Sequence, residues 1–139
     1  MSDITRGKTV CHCVNLRRAA NTISKIYDAK LHTIGLSVNQ FYLLVSLNEL
    51  GTASVSDLAN YVGLDRSTLV RTLKPLLNSG LIVDRSMQSQ RNRSLQLTES
   101  GVQKLEEGTP VWNEAQKLVE DKVGAENIRT VELIVAGLE

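Results

Sequence analysis

The sequence has few aromatic residues, few cysteines and no long apolar run. Aromatic side chains make up 4% of its 139 residues although 42% are hydrophobic. A core must therefore be built mainly from Leu, Val, Ile and Ala, which favours helices over a β-sandwich. Two cysteines are too few and too close together for a disulfide framework, which indicates a reducing compartment. The longest apolar run is the five residues 41–45, against the roughly 20 that a membrane helix needs. Residues 1–10 lack the apolar segment of a signal peptide, so we expect a cytoplasmic protein that does not enter a membrane.

A large net charge of either sign is also absent. Sixteen Lys and Arg against fifteen Asp and Glu give a formal charge of +1, which excludes a histone-like basic chain or an acidic tail as a description of the whole. The charges are nevertheless unevenly distributed, since residues 66–98 contain six basic residues and one acidic residue, whereas residues 99–139 contain nine acidic and four basic residues. A local basic surface of this kind indicates a polyanionic partner.

Apolar residues at three- and four-residue steps predict helices along most of a single domain. Capping residues and glycines give approximate limits: 16–34, 38–50, 57–62, 66–79, 98–123 and 125–138. Within the fifth helix, Gly108 and Pro110 predict a break or bend. The last helix should be buried nearly all round, because five of its last nine residues are large and aliphatic.

Between residues 81 and 98 the apolar period changes to two, which predicts a short antiparallel hairpin. A short helix, a glycine turn, a basic helix and a hairpin, in that order, form a winged helix-turn-helix. The predicted fold is therefore mainly α with a small β-hairpin, as one domain over 1–139 with the winged part at 37–98. The remaining helices, 10–35 and 110–139, carry more apolar surface than so small a core can cover, so we expect them to be dimerisation helices.

Hydrogen-bond donors occupy the open face of the basic helix. Arg71 can bond bidentately to a guanine edge and Lys74 to the DNA backbone, while the hydroxyls at 67 and 68 can reach base edges or phosphates. Arginines at the hairpin tip would reach the minor groove. The predicted DNA-binding residues are Arg66, Ser67, Thr68, Arg71, Lys74, Arg91 and Arg93. Alternatively, the basic face is only solvated and the winged helix is a protein-interaction module that does not bind DNA.

The runs SDLANYVGLDRSTLVRTLKPLLNSGLIVDR and RNRSLQLTESG resemble the multiple-antibiotic-resistance regulator (MarR) family of bacterial transcription factors. The resemblance extends from about Leu16 to the C-terminus. It implies a homodimeric regulator, acting as a repressor, that reads a pseudo-palindromic double-stranded operator. By residue match, Arg91 takes the position of the wing-tip arginine. Because Ser89 stands where the family usually has an aspartate, Arg93 remains the alternative.

The segment Cys11-His12-Cys13 contains residue types that bind zinc or copper. Adjacent residues of a helix point about 100° apart, so these three cannot all face one ion. We therefore predict no metal site within one chain and no cofactor. A site shared with another subunit remains an alternative.

Similarity to the organic-hydroperoxide-sensing branch of the family suggests a second role for these cysteines. In that branch the reactive cysteine lies 27 residues before the glutamine that corresponds to Gln40, which is the position of Cys13. Cys13 and Cys11 are thus candidate redox sensors, and Arg17 lies one turn away, where its positive charge favours a thiolate. The alternative is that both are small hydrophobic residues at a subunit seam. A thiol peroxidase is disfavoured, since the chain has no separated resolving cysteine.

A small aromatic ligand is the alternative signal. It would bind between the dimerisation helices and the winged part. The candidate residues are the aromatic and amphipathic side chains near that region: Tyr27, His32, Phe41, Tyr42 and Trp112. Each of them can equally be a core residue.

Overall fold

Six α-helices and a two-stranded hairpin make up residues 10–86 and 93–139, the part of the chain that the computed structural model describes. The helices are α1 (His12–Leu31), α2 (Val38–Leu50), α3 (Val55–Val62), α4 (Arg66–Asn78), α5 (Glu99–Val123) and α6 (Ala125–Leu138), with a 3₁₀ turn at His32–Ile34 and strands β1 (Ile82–Asp84) and β2 (Leu95–Leu97). This order confirms the predicted winged helix-turn-helix. None of the described helices has the length and apolarity to cross a membrane.

Capping side chains explain where the helices begin. At α2, the Ser37 hydroxyl accepts a hydrogen bond from the Gln40 amide at 3.1 Å, and the Gln40 side chain accepts one from the Ser37 amide at 2.9 Å. This reciprocal capping box satisfies two of the amides that a helix start leaves without partners. The short α3 begins at Val55, two residues earlier than predicted, because Ser54 rather than Ser56 caps it.

The core lies between α2, α3, α4 and the hairpin, with the end of α1 packed beside it. Its fully buried members are almost all leucines, as the shortage of aromatic residues predicted. They are Leu31, Leu43, Leu44, Leu47, Leu58, Leu69, Leu73, Leu76, Ile82 and Leu95. Because they come from every element of the winged part, the orientation of α4 is fixed from several sides.

The hairpin pairs Ile82 with Leu97 and Asp84 with Leu95. On its other side Leu95 exchanges both backbone hydrogen bonds with Ala53, at 3.1 and 2.8 Å. The chain before α3 thus adds a single-residue bridge to the wing, and it anchors the hairpin to the start of the helix-turn-helix. The alternating pattern of residues 81–98 predicted the two strands but not this bridge.

Of the break or bend predicted at Gly108 and Pro110, the break is wrong, because α5 is continuous from Glu99 to Val123. Gly108 is buried, and a Cβ there would lie 2.5 Å from the Phe41 ring and 3.0 Å from the Ile34 side chain. The glycine therefore allows α5 to pass close to α2 rather than ending the helix. Pro110 is exposed, so the carbonyl that loses its helical partner can bond to water.

The prediction that α6 is buried nearly all round is also wrong for the single chain. No residue of α6 is buried, and Leu133 and Leu138 are 67% and 80% exposed. The helix turns away from the core at Gly124, whose φ is +92°. Its large aliphatic side chains are consequently left on the surface.

Candidate nucleic-acid interface

A tight turn connects α3 to α4 and packs the two helices against each other. Gly63 adopts a left-handed φ of +75°, and the Leu64 amide bonds to the Ala59 carbonyl at 3.1 Å. Leu58 of α3 and Leu69 of α4 are both fully buried between the two helices. The opposite side of α4 is left facing solvent. We call its polar residues the basic face: Arg66, Ser67, Thr68, Arg71 and Lys74, all exposed except for the half-buried Thr68.

Asp65 organises the first turn of α4. Its carboxylate accepts hydrogen bonds from the Ser67 hydroxyl at 2.7 Å and the Thr68 amide at 3.4 Å. The hydrogen bonds from Thr68 and Ser67 lower the pKa of Asp65 to about 2, so it carries a negative charge at neutral pH. A negatively charged N-cap also interacts favourably with the helix dipole.

Two arginines of the basic face are held by neighbouring hydroxyls. Arg71 donates to Thr68 Oγ1 at 3.2 Å, one turn back on the same helix. Arg66 donates to Ser56 Oγ at 3.1 Å, which ties α4 to α3. Both guanidinium groups are exposed and retain further donors, so each can bond to an incoming acceptor.

The base of the wing contains a second basic group. Asp84 accepts bonds from the amides of Ser86 and Ser94, and its other oxygen lies 3.6 Å from Arg93 Nε. Burial raises the pKa of the Asp84 carboxyl, but these hydrogen bonds and the Arg93 charge outweigh burial and lower it. Arg93 therefore lies beside the strands rather than at the tip. Arg91, the other predicted wing residue, lies outside the described residues.

Several residues that support this interface were not identified from the sequence. Asp65 and Ser56 are not among the predicted DNA-binding residues, yet each holds a side chain of the basic face. Arg85, which directly follows β1, is exposed and donates a hydrogen bond to the Gln96 side chain at 3.3 Å. The Gln96 side chain in turn donates one to the Thr52 hydroxyl at 2.8 Å. The pairings made by Ser56, Arg85 and Gln96 join separate segments, for which the sequence carries no periodic signal.

A family model described as the MarR family matches residues 36–93, which span the helix-turn-helix and most of the wing. The chain is 26% identical over 101 residues to the uncharacterized HTH-type transcriptional regulator YwoH of Bacillus subtilis strain 168, covering 73% of this chain and 72% of YwoH. It is 30% identical to the M. tuberculosis transcriptional regulator MosR, solved in complex with DNA, with a TM-score of 0.80 and 92% of each chain covered. The chain belongs to the MarR family.

A mutant of E. coli MarR, solved with operator DNA, has the same fold. It is 17% identical, with a TM-score of 0.75, and covers 88% of this chain and 89% of its own. The likeness extends well beyond residues 36–93, so the outer helices also follow the MarR fold.

In this MarR-family chain both cysteines lie at the start of α1. Cys11 is the N-cap residue and Cys13 lies in the first turn, and both are exposed. The Arg17 guanidinium points at Cys13 Sγ over 3.8 Å. Among the described residues, no group of three or more His, Cys, Asp and Glu side chains is arranged to hold a metal ion.

The five candidate ligand residues do not form one cluster. Phe41 is buried in the core and Trp112 packs against it, whereas His32 and Tyr42 are exposed. Tyr27 donates its hydroxyl to Gln116 of α5. Burial raises the pKa of Tyr27, and the charge of Glu120 raises it further. Three of the five thus contribute to packing between α1, α2 and α5.

Proposed function

We propose that this protein is a homodimeric, sequence-specific double-stranded DNA-binding repressor whose DNA affinity responds to a chemical signal. The observation that carries the proposal is the exposed basic face of α4, whose helix buries Leu69, Leu73 and Leu76 on its opposite side. In a helix-turn-helix the second helix enters the major groove and presents its N-terminal residues to the bases. Arg71 would read a guanine edge, and Lys74 would bind the phosphate backbone.

Substitutions on the basic face separate these two roles. Arg71→Ala should reduce operator affinity by roughly 1–3 kcal/mol and relax sequence preference, because a base contact is lost. Lys74→Ala should reduce affinity by a similar factor on all duplexes and make binding less sensitive to salt, because a phosphate contact is lost. Gel shifts on selected and random duplexes at several salt concentrations measure both effects.

Lys117→Ala, with its oligomeric state checked by gel filtration, is the matched control, since Lys117 is an exposed lysine on α5 away from the basic face. It should leave affinity unchanged. Unaltered binding by both basic-face variants would overturn the assignment of α4. A wild-type protein that binds neither random duplex nor heparin at low salt would indicate the alternative, a protein-interaction module.

Dimerisation is supported by the apolar surface of the outer helices. Leu16 of α1 is 59% exposed and Leu118 of α5 is 47% exposed, and α6 exposes a full apolar stripe. A groove of about 350 Å³ between α1 and the end of α5 is lined by Ile23, Ile26 and Val123. Soluble monomers rarely expose apolar surface on this scale, so we propose that a second copy covers residues 10–35 and 110–139.

The proposed signal is oxidation at Cys13. A hydroperoxide would transfer an oxygen to the Cys13 sulfur, which gives a sulfenic acid and releases the alcohol. In the single chain Cys13 is exposed and the Arg17 guanidinium lies beside its sulfur, which suits this reaction. Because α1 belongs to the proposed dimer interface, added polarity there would disturb subunit pairing and hence the spacing of the two α4 helices.

Oxidant sensitivity tests this signal directly. Treating the wild-type protein with an organic hydroperoxide should reduce operator affinity at least tenfold, and dithiothreitol should restore it. Cys13→Ser should bind DNA normally and lose the response, while Cys11→Ser should keep it. A Cys13→Ser protein that responds as the wild type does would eliminate Cys13, and the aromatic-ligand alternative at Tyr27 and Trp112 would then be tested by ligand screening.

A further inference from the structure

The hydrogen bond between Asp65 and Ser67 restricts what Ser67 can do at the interface. Asp65 is ionised at neutral pH, and an ionised carboxylate only accepts hydrogen bonds. At an Oγ to Oδ2 distance of 2.7 Å, the Ser67 hydroxyl must therefore be the donor. Its single proton is committed to Asp65, and only the oxygen lone pairs remain available on the exposed side.

DNA offers different groups to an acceptor and to a donor. Phosphate oxygens only accept, so Ser67 cannot bond to the backbone while its proton points at Asp65. In the major groove, the groups that donate are the amino groups of adenine (N6) and cytosine (N4), whereas guanine and thymine present carbonyl oxygens at the corresponding positions. An acceptor-only hydroxyl thus distinguishes amino bases from keto bases.

We propose, on the basis of the proposed DNA-binding function, that Asp65 is a positioning residue that fixes Ser67 as a hydrogen-bond acceptor. As an acceptor, Ser67 would select adenine or cytosine at one operator position. Thr68 differs from its neighbour, because its Oγ1 accepts from Arg71 at 3.2 Å. The acceptor capacity of Thr68 is therefore partly used within the protein, which leaves Ser67 as the more available acceptor of the pair.

Asp65→Asn is the informative variant. Asparagine caps helices as well as aspartate does, so it preserves the start of α4. Its amide can donate as well as accept, which releases the Ser67 proton to point at DNA. A role of Asp65 limited to helix capping predicts that the base preference is unchanged in Asp65→Asn.

The experiment is a selection of random-sequence duplexes by full-length wild type, Ser67→Ala and Asp65→Asn. Ser67→Ala identifies the contacted position as the one where base preference disappears. There the wild type should favour adenine or cytosine by about threefold to tenfold, the value of one net hydrogen bond. Asp65→Asn should reduce this preference below about twofold, because the released Ser67 proton can then donate to DNA.

Three results would overturn the inference: no position altered by Ser67→Ala, a wild-type preference for guanine or thymine at that position, or an unchanged preference in Asp65→Asn. Failure of the proposed function has a different signature. In that case the wild-type protein enriches no sequence at all.

Discussion

Ile134→Asp is expected to convert the protein to monomers and to weaken operator binding by about two to three orders of magnitude. Ile134 is 43% exposed on α6, and Val131 and Leu138 lie one turn away on the same stripe. A carboxylate placed there would be buried without a partner in the dimer, which is strongly unfavourable. A monomer would also lose the gain in affinity that comes from engaging two half-sites together.

Light scattering coupled to gel filtration gives the mass of the variant, and a gel shift gives its affinity. Glu132→Asp places an aspartate on the polar side of α6 and should change neither the mass nor the DNA affinity. Circular dichroism should show unaltered helix content, since Ile134 does not pack against the core that the described residues form. A variant that remains dimeric would show that α6 is not the subunit interface.

Gly101→Ala is the substitution with the largest expected effect on stability. A Cβ at Gly101 would collide with the backbone carbonyl of Leu81 and would lie 3.2 Å from a methyl group of Leu97. A backbone carbonyl cannot rotate away, so either α5 or the wing must shift. We expect the free energy of unfolding to fall by about 3 kcal/mol.

Urea denaturation at a fixed protein concentration measures this loss. Gly137→Ala adds the same methyl group where nothing of its own chain lies within 4 Å, and gel filtration checks that its oligomeric state is unchanged. Alanine forms helices better than glycine, so this control should gain up to about 1 kcal/mol. Equal stabilities for the two variants would show that the wing and α5 are not packed as closely as the structure indicates.

The same junction explains a short motif of the sequence, Leu97-Thr98-x-x-Gly101. Thr98 caps α5 by accepting from the Gly101 amide at 3.0 Å. Its own hydroxyl donates to the Gly80 carbonyl at 2.6 Å, and its amide donates to Leu81 at 3.1 Å. The threonine thus joins three segments, and the glycine makes room for them. The motif lies in one of the two runs that carry the MarR resemblance, and these contacts supply a physical reason for it.

Local chemistry made much of the fold predictable. Ser37 and Asp65 are strong capping residues beside periodic leucines, so helix starts could be placed from the sequence. The switch from helical to alternating spacing at Leu81 likewise located the hairpin. The basic face followed from the same spacing, because residues 67, 71 and 74 must share one side of a helix that buries Leu69 and Leu73.

The wrong predictions concern features that local chemistry leaves ambiguous. A glycine followed by a proline two residues later is compatible with a break, but also with a close helix crossing, and only Phe41 of a distant segment decides between them at Gly108. The apolar content of α6 indicates burial without specifying whether its own chain or a second one covers it. The direction of the Ser67 hydroxyl depends on the rotamers of two side chains, which the residue order does not determine.

Because α5 is continuous, a tilt at one of its ends displaces the other end. Its 25 residues span about 37 Å at 1.5 Å per residue. The first turn is fixed to the wing through Thr98, and the last turns lie near α1 and lead into α6. A tilt of about 5° at one end displaces the other by about 3 Å, close to the rise of about 3.4 Å between neighbouring base pairs. A small movement at the distal end of α5 that leaves every helix intact would therefore shift the wing by nearly one base-pair step.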